Sequence, residues 1–121
     1  MITSSQAAAA SWTMISNHTD EIQQALNAHR ALAILQLLEG PLRGGANERL
    51  LTSIFEMIQL RTSRAELRSI LDFLDREGAI SSTEVDGLIV IELRYHGHEI
   101  ATGLVSLEGI EKPKPEAPYF G

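Results

Sequence analysis

The chain has 121 residues, 44% hydrophobic and 21% charged, with no cysteine and a formal net charge of −6. That length allows one domain with a modest core, plus tails. Absence of cysteine excludes disulfides, thiolate metal sites and cysteine nucleophiles, and an acidic balance argues against a protein that grips nucleic acid over a broad basic surface.

The first 17 residues are rich in Ala, Ser and Thr and have no sustained apolar period, so a flexible segment is expected over residues 1–18. Trp12, Met14 and Ile15 are its apolar side chains. No Lys or Arg precedes Arg30, so the positive stretch of a secretory signal is missing. No apolar run approaches the roughly 18 residues of a membrane span. These features predict a cytoplasmic protein with no membrane partner.

A helix is expected from about Asp20 to Glu39, capped by Thr19 or Asn17, with Ile22, Leu26, Leu32, Leu35 and Leu38 on its buried side. Gly40-Pro41 ends it, and Gly40–Gly45 reverses the chain. A second helix, Asn47 to Ile58, has Leu50, Leu51, Ile54, Phe55 and Ile58 as its core face and Asn47 as its cap. The connection Gln59–Thr62 is short enough for a helix-turn-helix.

The third helix is the most strongly specified. Ser63-Arg64-Ala65-Glu66 is a capping box, in which the Ser hydroxyl accepts a backbone N–H three residues on and the Glu reaches back. Leu67, Ile70, Leu71 and Leu74 then form one apolar stripe, and Gly78 stops the helix. Arg64 and Arg68 stand one turn apart on the other face, just after Arg61.

Beyond Gly78 the apolar period falls from 3.6 to 2. Ala79–Val85 and Leu88–Arg94 flank Asp86-Gly87, a type I′ turn signal, and read as a β-hairpin. Ile89, Ile91 and Leu93 are expected on one face and Leu88, Val90 and Ile80 on the other. A last helix is expected within Tyr95–Leu107, with Ile100, Leu104 and Leu107 inward, although Gly97 and Gly103 weaken it. Residues 108–121 carry three prolines and no core pattern, and read as a flexible tail. The expected fold is mainly α with a β-hairpin: a winged helix-turn-helix over residues 19–107, in the order helix, helix, helix, hairpin, helix.

Several stretches then carry a resemblance: His29–Leu38, Arg64–Gly78, the hairpin Ile80–Leu93, Gly97-His98-Glu99-Ile100-Ala101-Thr102-Gly103, and Val105–Pro115. Together they resemble a family of small proteins of Mu-like phages and prophages with an ArsR-like winged-helix fold. The most specific part is G-H-E-[IV]-A-x-G followed by G-[IV]-x-[KR]-P. The resemblance implies a DNA-associated or morphogenesis protein of the phage, made in the cytoplasm of a bacterial host. It also implies homodimers through terminal helices, and packaging or head proteins as partners. Metal sensing of the ArsR kind needs cysteine or clustered ligands, which this chain lacks.

Candidate residues follow from charge and position. Ser63 and the N-terminus of the third helix can hold a phosphate. Arg61, Thr62, Ser63, Arg64 and Arg68 form the expected contact set for double-stranded DNA, with Arg64 and Arg68 reaching base edges or backbone. The plainer alternative is solvated arginines, with Arg68 pairing with Asp72. Glu84 and Asp86 make the hairpin tip acidic, where minor-groove wings carry Arg or Lys. His96 and His98 lack a third ligand nearby, so neither metal nor cofactor is expected. Lys112 and Lys114 alternate with prolines in the tail. No phosphate-binding loop, nucleophile elbow or HExxH motif is present, and no catalytic site is expected. The alternative to a DNA-binding module is a protein–protein module of head morphogenesis.

Overall fold

The computed structural model describes residues 18–114. The N-terminal segment with Trp12, and residues 115–121 of the expected tail, lie outside the described residues. Among the described residues, four helices and three strands make a mixed α/β fold: α1 (Thr19–Glu39), β1 (Ala46–Asn47), α2 (Glu48–Met57), α3 (Arg64–Arg76), β2 (Ile80–Val85), β3 (Leu88–Leu93) and α4 (Tyr95–Ala101).

α1 is the central post. From Arg30 to Leu38 it is buried on nearly every side, with Ala33, Ile34 and Leu35 fully enclosed, because apart from Arg30 and Gln36 this stretch is apolar all round. Its first half is different. Ile22 and Leu26, expected on the buried side, are exposed, since no other element of the described chain extends far enough to cover them. The helix begins after His18 without a side-chain cap, so Thr19 is its first residue and not its cap.

Asn47 caps α2 as expected, its side chain accepting from the backbone N–H of Leu50 at 2.8 Å. Leu51 and Phe55 enter the core, while Leu50, expected with them, turns out to solvent. Gln59 takes a left-handed φ of 63° in the turn that follows. α3 opens on the full capping box and buries Leu67, Ile70, Leu71 and Leu74. Gly78, with φ of 77°, then turns the chain toward β2.

β2 and β3 pair antiparallel around Asp86-Gly87, both with positive φ as a type I′ turn requires. Ile80 lies opposite Leu93 and Ser82 opposite Ile91. Residues directly opposite share a face, so Ile80 belongs with Ile91 and Leu93 and not with Leu88 and Val90. β1 is an addition to the sequence reading. Its two residues pair Ala46 with Ile91 and Asn47 with Val90, giving a three-stranded antiparallel sheet in the order β1-β3-β2.

α4 is shorter than the expected span and ends at Ala101, with Gly103 taking φ of 83° two residues later. Ile100 is buried, Leu107 packs against the core and Leu104 is exposed. Gly97 explains why α4 tolerates a glycine: a Cβ there would lie 2.2 Å from the Ala79 carbonyl oxygen. Within the stretch read as a tail, Ile110 joins the core, Gly109 sits against the Phe73 ring, and the Glu111 N–H donates to the Ala28 carbonyl of α1. No helix among the described residues is long and apolar enough to cross a membrane.

Candidate functional site

The arginines of α3 converge on a residue that sequence reasoning passed over. Glu48 is the first residue of α2, directly after β1. Pairing of Asn47 with β3, together with the Asn47 cap, points the Glu48 side chain between α3 and the hairpin. The carboxylate is only 3% exposed. Arg68 binds it in a two-pronged fork, Nε to Oε2 at 2.8 Å and Nη2 to Oε1 at 2.7 Å. The backbone N–H of Ile89 donates to Oε1 at 3.2 Å, and Arg64 Nη2 lies 3.4 Å from the same oxygen.

Both arginines also reach the hairpin tip. Arg64 Nη2 and Arg68 Nη2 each donate to the Gly87 carbonyl at 3.1 Å. Charged, two-pronged hydrogen bonds are the strong ones, so α2, α3 and the hairpin are tied together at one point. The Arg68 guanidinium holds the Glu48 carboxyl down at about 2, against the opposing effect of burial. The Ile89 N–H and the charges of Arg68 and Arg64 help it. Arg68 is shifted upward in turn, chiefly by its bond to Glu48, with Glu84 on β2 adding a further negative charge.

The other expected contact residues fare differently. Arg61 is 84% exposed and pairs with Glu56 at 3.0 Å. Thr62 is buried, and its hydroxyl donates to the Leu60 carbonyl at 2.6 Å, so it presents nothing at the surface. Ser63 accepts the Glu66 N–H at 3.1 Å, which commits its hydroxyl to the helix start. Arg64 stays 65% exposed, whereas Arg68 is 35% exposed. The pairing of Arg68 with Asp72 is not formed: Asp72 pairs with Arg76 at 3.3 Å.

Beneath this face lies a second charged group. Arg30, on the buried part of α1, donates to Glu66 at 3.1 Å, to Asn27 at 3.2 Å and to the Arg61 carbonyl at 3.0 Å. Glu66 is held below its ordinary range, first by its bonds to Ser63 and then by Arg30. The capping box is thus anchored to the core helix. His96 and His98 turn to different carboxylates, Glu99 and Glu39, and His29 pairs with Glu111.

Over 96 residues, 79% of this chain and 99% of the other, the sequence is 27% identical to the uncharacterized protein gp26 of Escherichia phage Mu. That similarity supports a Mu-like phage protein. No family model and no solved structure matches the chain. Glu48 had one visible signal in sequence, an acid in the first turn of a helix. Helix dipoles draw acids to that position routinely, and nothing in the spacing tied it to residues 16 and 20 positions away.

Proposed function

We propose that this is a non-enzymatic winged-helix protein of a Mu-like phage or prophage that contacts double-stranded DNA through the start of α3, in transcriptional regulation or DNA packaging. The carrying observation is the exposure of Arg61, just before a capped helix, and of Arg64 in its first turn, beside a hairpin that the same helix holds in place. The order of the elements and the sheet order β1-β3-β2 support the winged-helix reading, as does the ArsR-like resemblance. Arg61, Arg64 and the N-terminal turn of α3 take phosphates, and base edges are read from the open face of α3.

The test is a salt titration of binding to random duplex DNA, followed by fluorescence anisotropy. Affinity falling linearly in log salt supports the reading. No binding at the lowest salt removes it.

A second reading, a protein–protein module of head morphogenesis, is favoured by one observation. Glu48 and Glu56 offset the arginines, and the hairpin tip adds Glu84 and Asp86 to a chain of net charge −6. A protein of this kind binds packaging or head proteins and leaves DNA alone.

A further inference from the structure

Arg64 and Arg68 look equivalent in sequence, one turn apart on one helix face, but their surroundings differ. Arg68 is locked in a fork to a carboxylate that is 3% exposed and that has no water to fall back on. Taking Arg68 away leaves a buried, under-paired charge, which is strongly unfavourable. A single phosphate in solvent does not compensate for that loss. Arg64 meets the same carboxylate at only 3.4 Å and is 65% exposed, so swinging out costs it one long ion pair and one surface hydrogen bond to the Gly87 carbonyl, both replaceable by water.

We propose that Glu48 is a charge governor of the α3 face: it withdraws Arg68 from phosphate contact, positions the hairpin through that arginine, and leaves Arg61 and Arg64 as the electrostatic contacts. The inference rests on the DNA reading above. Its consequence is low non-specific affinity, because each withdrawn cation removes one phosphate neutralisation. Recognition then depends on the few groups that remain. Glu48 is a positioning residue in this scheme and touches no DNA itself.

The experiment measures the slope of log affinity against log salt for the full chain and for Arg64→Gln, Arg68→Gln and Glu48→Gln, on one duplex. Arg64→Gln is expected to reduce the slope by about 0.9. Arg68→Gln leaves it unchanged. Glu48→Gln steepens it by about 0.9 and tightens binding roughly tenfold at about 0.1 M salt. A merely structural role for Glu48 moves melting temperature but not the slope.

If Arg68→Gln lowers the slope as much as Arg64→Gln does, Arg68 is a phosphate contact and the inference is overturned. Should Glu48→Gln fail to fold, the 15N signal of Arg68 Nε in the unmodified chain decides. A signal unmoved at saturating DNA supports a withdrawn Arg68, and a shift as large as that of Arg64 Nε overturns it. An unmodified chain that binds, with an unchanged slope in folded Glu48→Gln, sinks the inference and leaves the DNA reading standing. Absence of binding in every form, Glu48→Gln included, sinks both.

Discussion

Glu48 shows how one residue carries more of this structure than its neighbours. Its carboxylate accepts from Arg64, Arg68 and the Ile89 N–H. Removing it leaves Arg68, 35% exposed, and Arg64, 65% exposed, free to turn to water, so Glu48→Ala is expected to cost about 1.5–3 kcal/mol, chiefly the lost charged hydrogen bonds. Denaturant unfolding checks this, and a loss under about 1 kcal/mol would mean that water replaces those bonds in full. The pair also predicts an acid response. Glu48 is held at about 2, below its ordinary 4.5. A group with a depressed folded value contributes stability that is fully present above the unfolded value and is lost as pH falls through the folded one. The melting-temperature gap between the unmodified chain and Glu48→Gln is therefore widest above about pH 5 and closes as pH falls toward 2. Glu66 shifts in the same direction, so Glu66→Gln serves as the control that isolates Glu48. A gap that stays constant down the acid range contradicts the account.

Two elements are held by local geometry that mutation can probe. The Ser63 box opens α3, with Ser63 accepting the Glu66 N–H and Glu66 accepting the Ser63 N–H. Ser63→Ala is expected to lose about 1 kcal/mol, visible in thermal unfolding. α4 lies against the base of the hairpin through Gly97, where a Cβ would meet the carbonyl oxygen of Ala79, just before β2, at 2.2 Å and Leu93 Cδ1 on β3 at 2.7 Å. That carbonyl already accepts the Arg94 N–H at 3.0 Å and cannot retreat without breaking the bond. Gly97→Ala is thus expected to cost about 2–3 kcal/mol despite the better helix propensity of alanine; a stabilised variant would refute the close approach. These elements also divide what the sequence makes legible from what it does not. The capping box, the α3 stripe and the Asp86-Gly87 turn are local patterns in which each residue specifies its neighbour's geometry, and all three are realised. β1 has two residues, too few for any period. The exposure of Leu50 and Leu104 depends on what lies opposite them, and the burial of Ile110 depends on a backbone bond to α1 that no local pattern announces. For the candidate site, the arginines were legible because they share a helix face. Their partner was not, because the contact between Glu48 and Arg68 exists only after β1 has joined β3.

At the scale of the whole molecule, the first half of α1 touches the rest of the described residues on one side, through Gln23 with Glu66 and Ala28 with Glu111, and leaves the side with Ile22 and Leu26 open. The helix has 21 residues and so spans about 30 Å, yet only the part from Arg30 onward is enclosed. Ile22 and Leu26, one turn apart and 46% and 37% exposed, border a groove lined by Ala25, Ala28, His29 and Glu111. Small alanines beside two large apolar side chains allow another helix to approach closely, and a second copy supplies such a helix. Homodimerisation through this half of α1 is the proposal, and it bears on the DNA reading. In such a dimer, two α3 helices placed about 34 Å apart would read two half-sites one turn apart, offsetting the small number of cations each copy presents. Sedimentation equilibrium of the unmodified chain is expected to show mass rising toward twice the monomer with concentration. Ile22→Glu with Leu26→Glu should hold it at the monomer and leave the melting temperature at low, monomeric concentration unchanged, since neither side chain is in the core. A unmodified chain that stays monomeric at every concentration removes the dimer. The DNA contact would then rest on Arg61 and Arg64 of a single copy, a footprint small enough to make the protein–protein reading the stronger of the two.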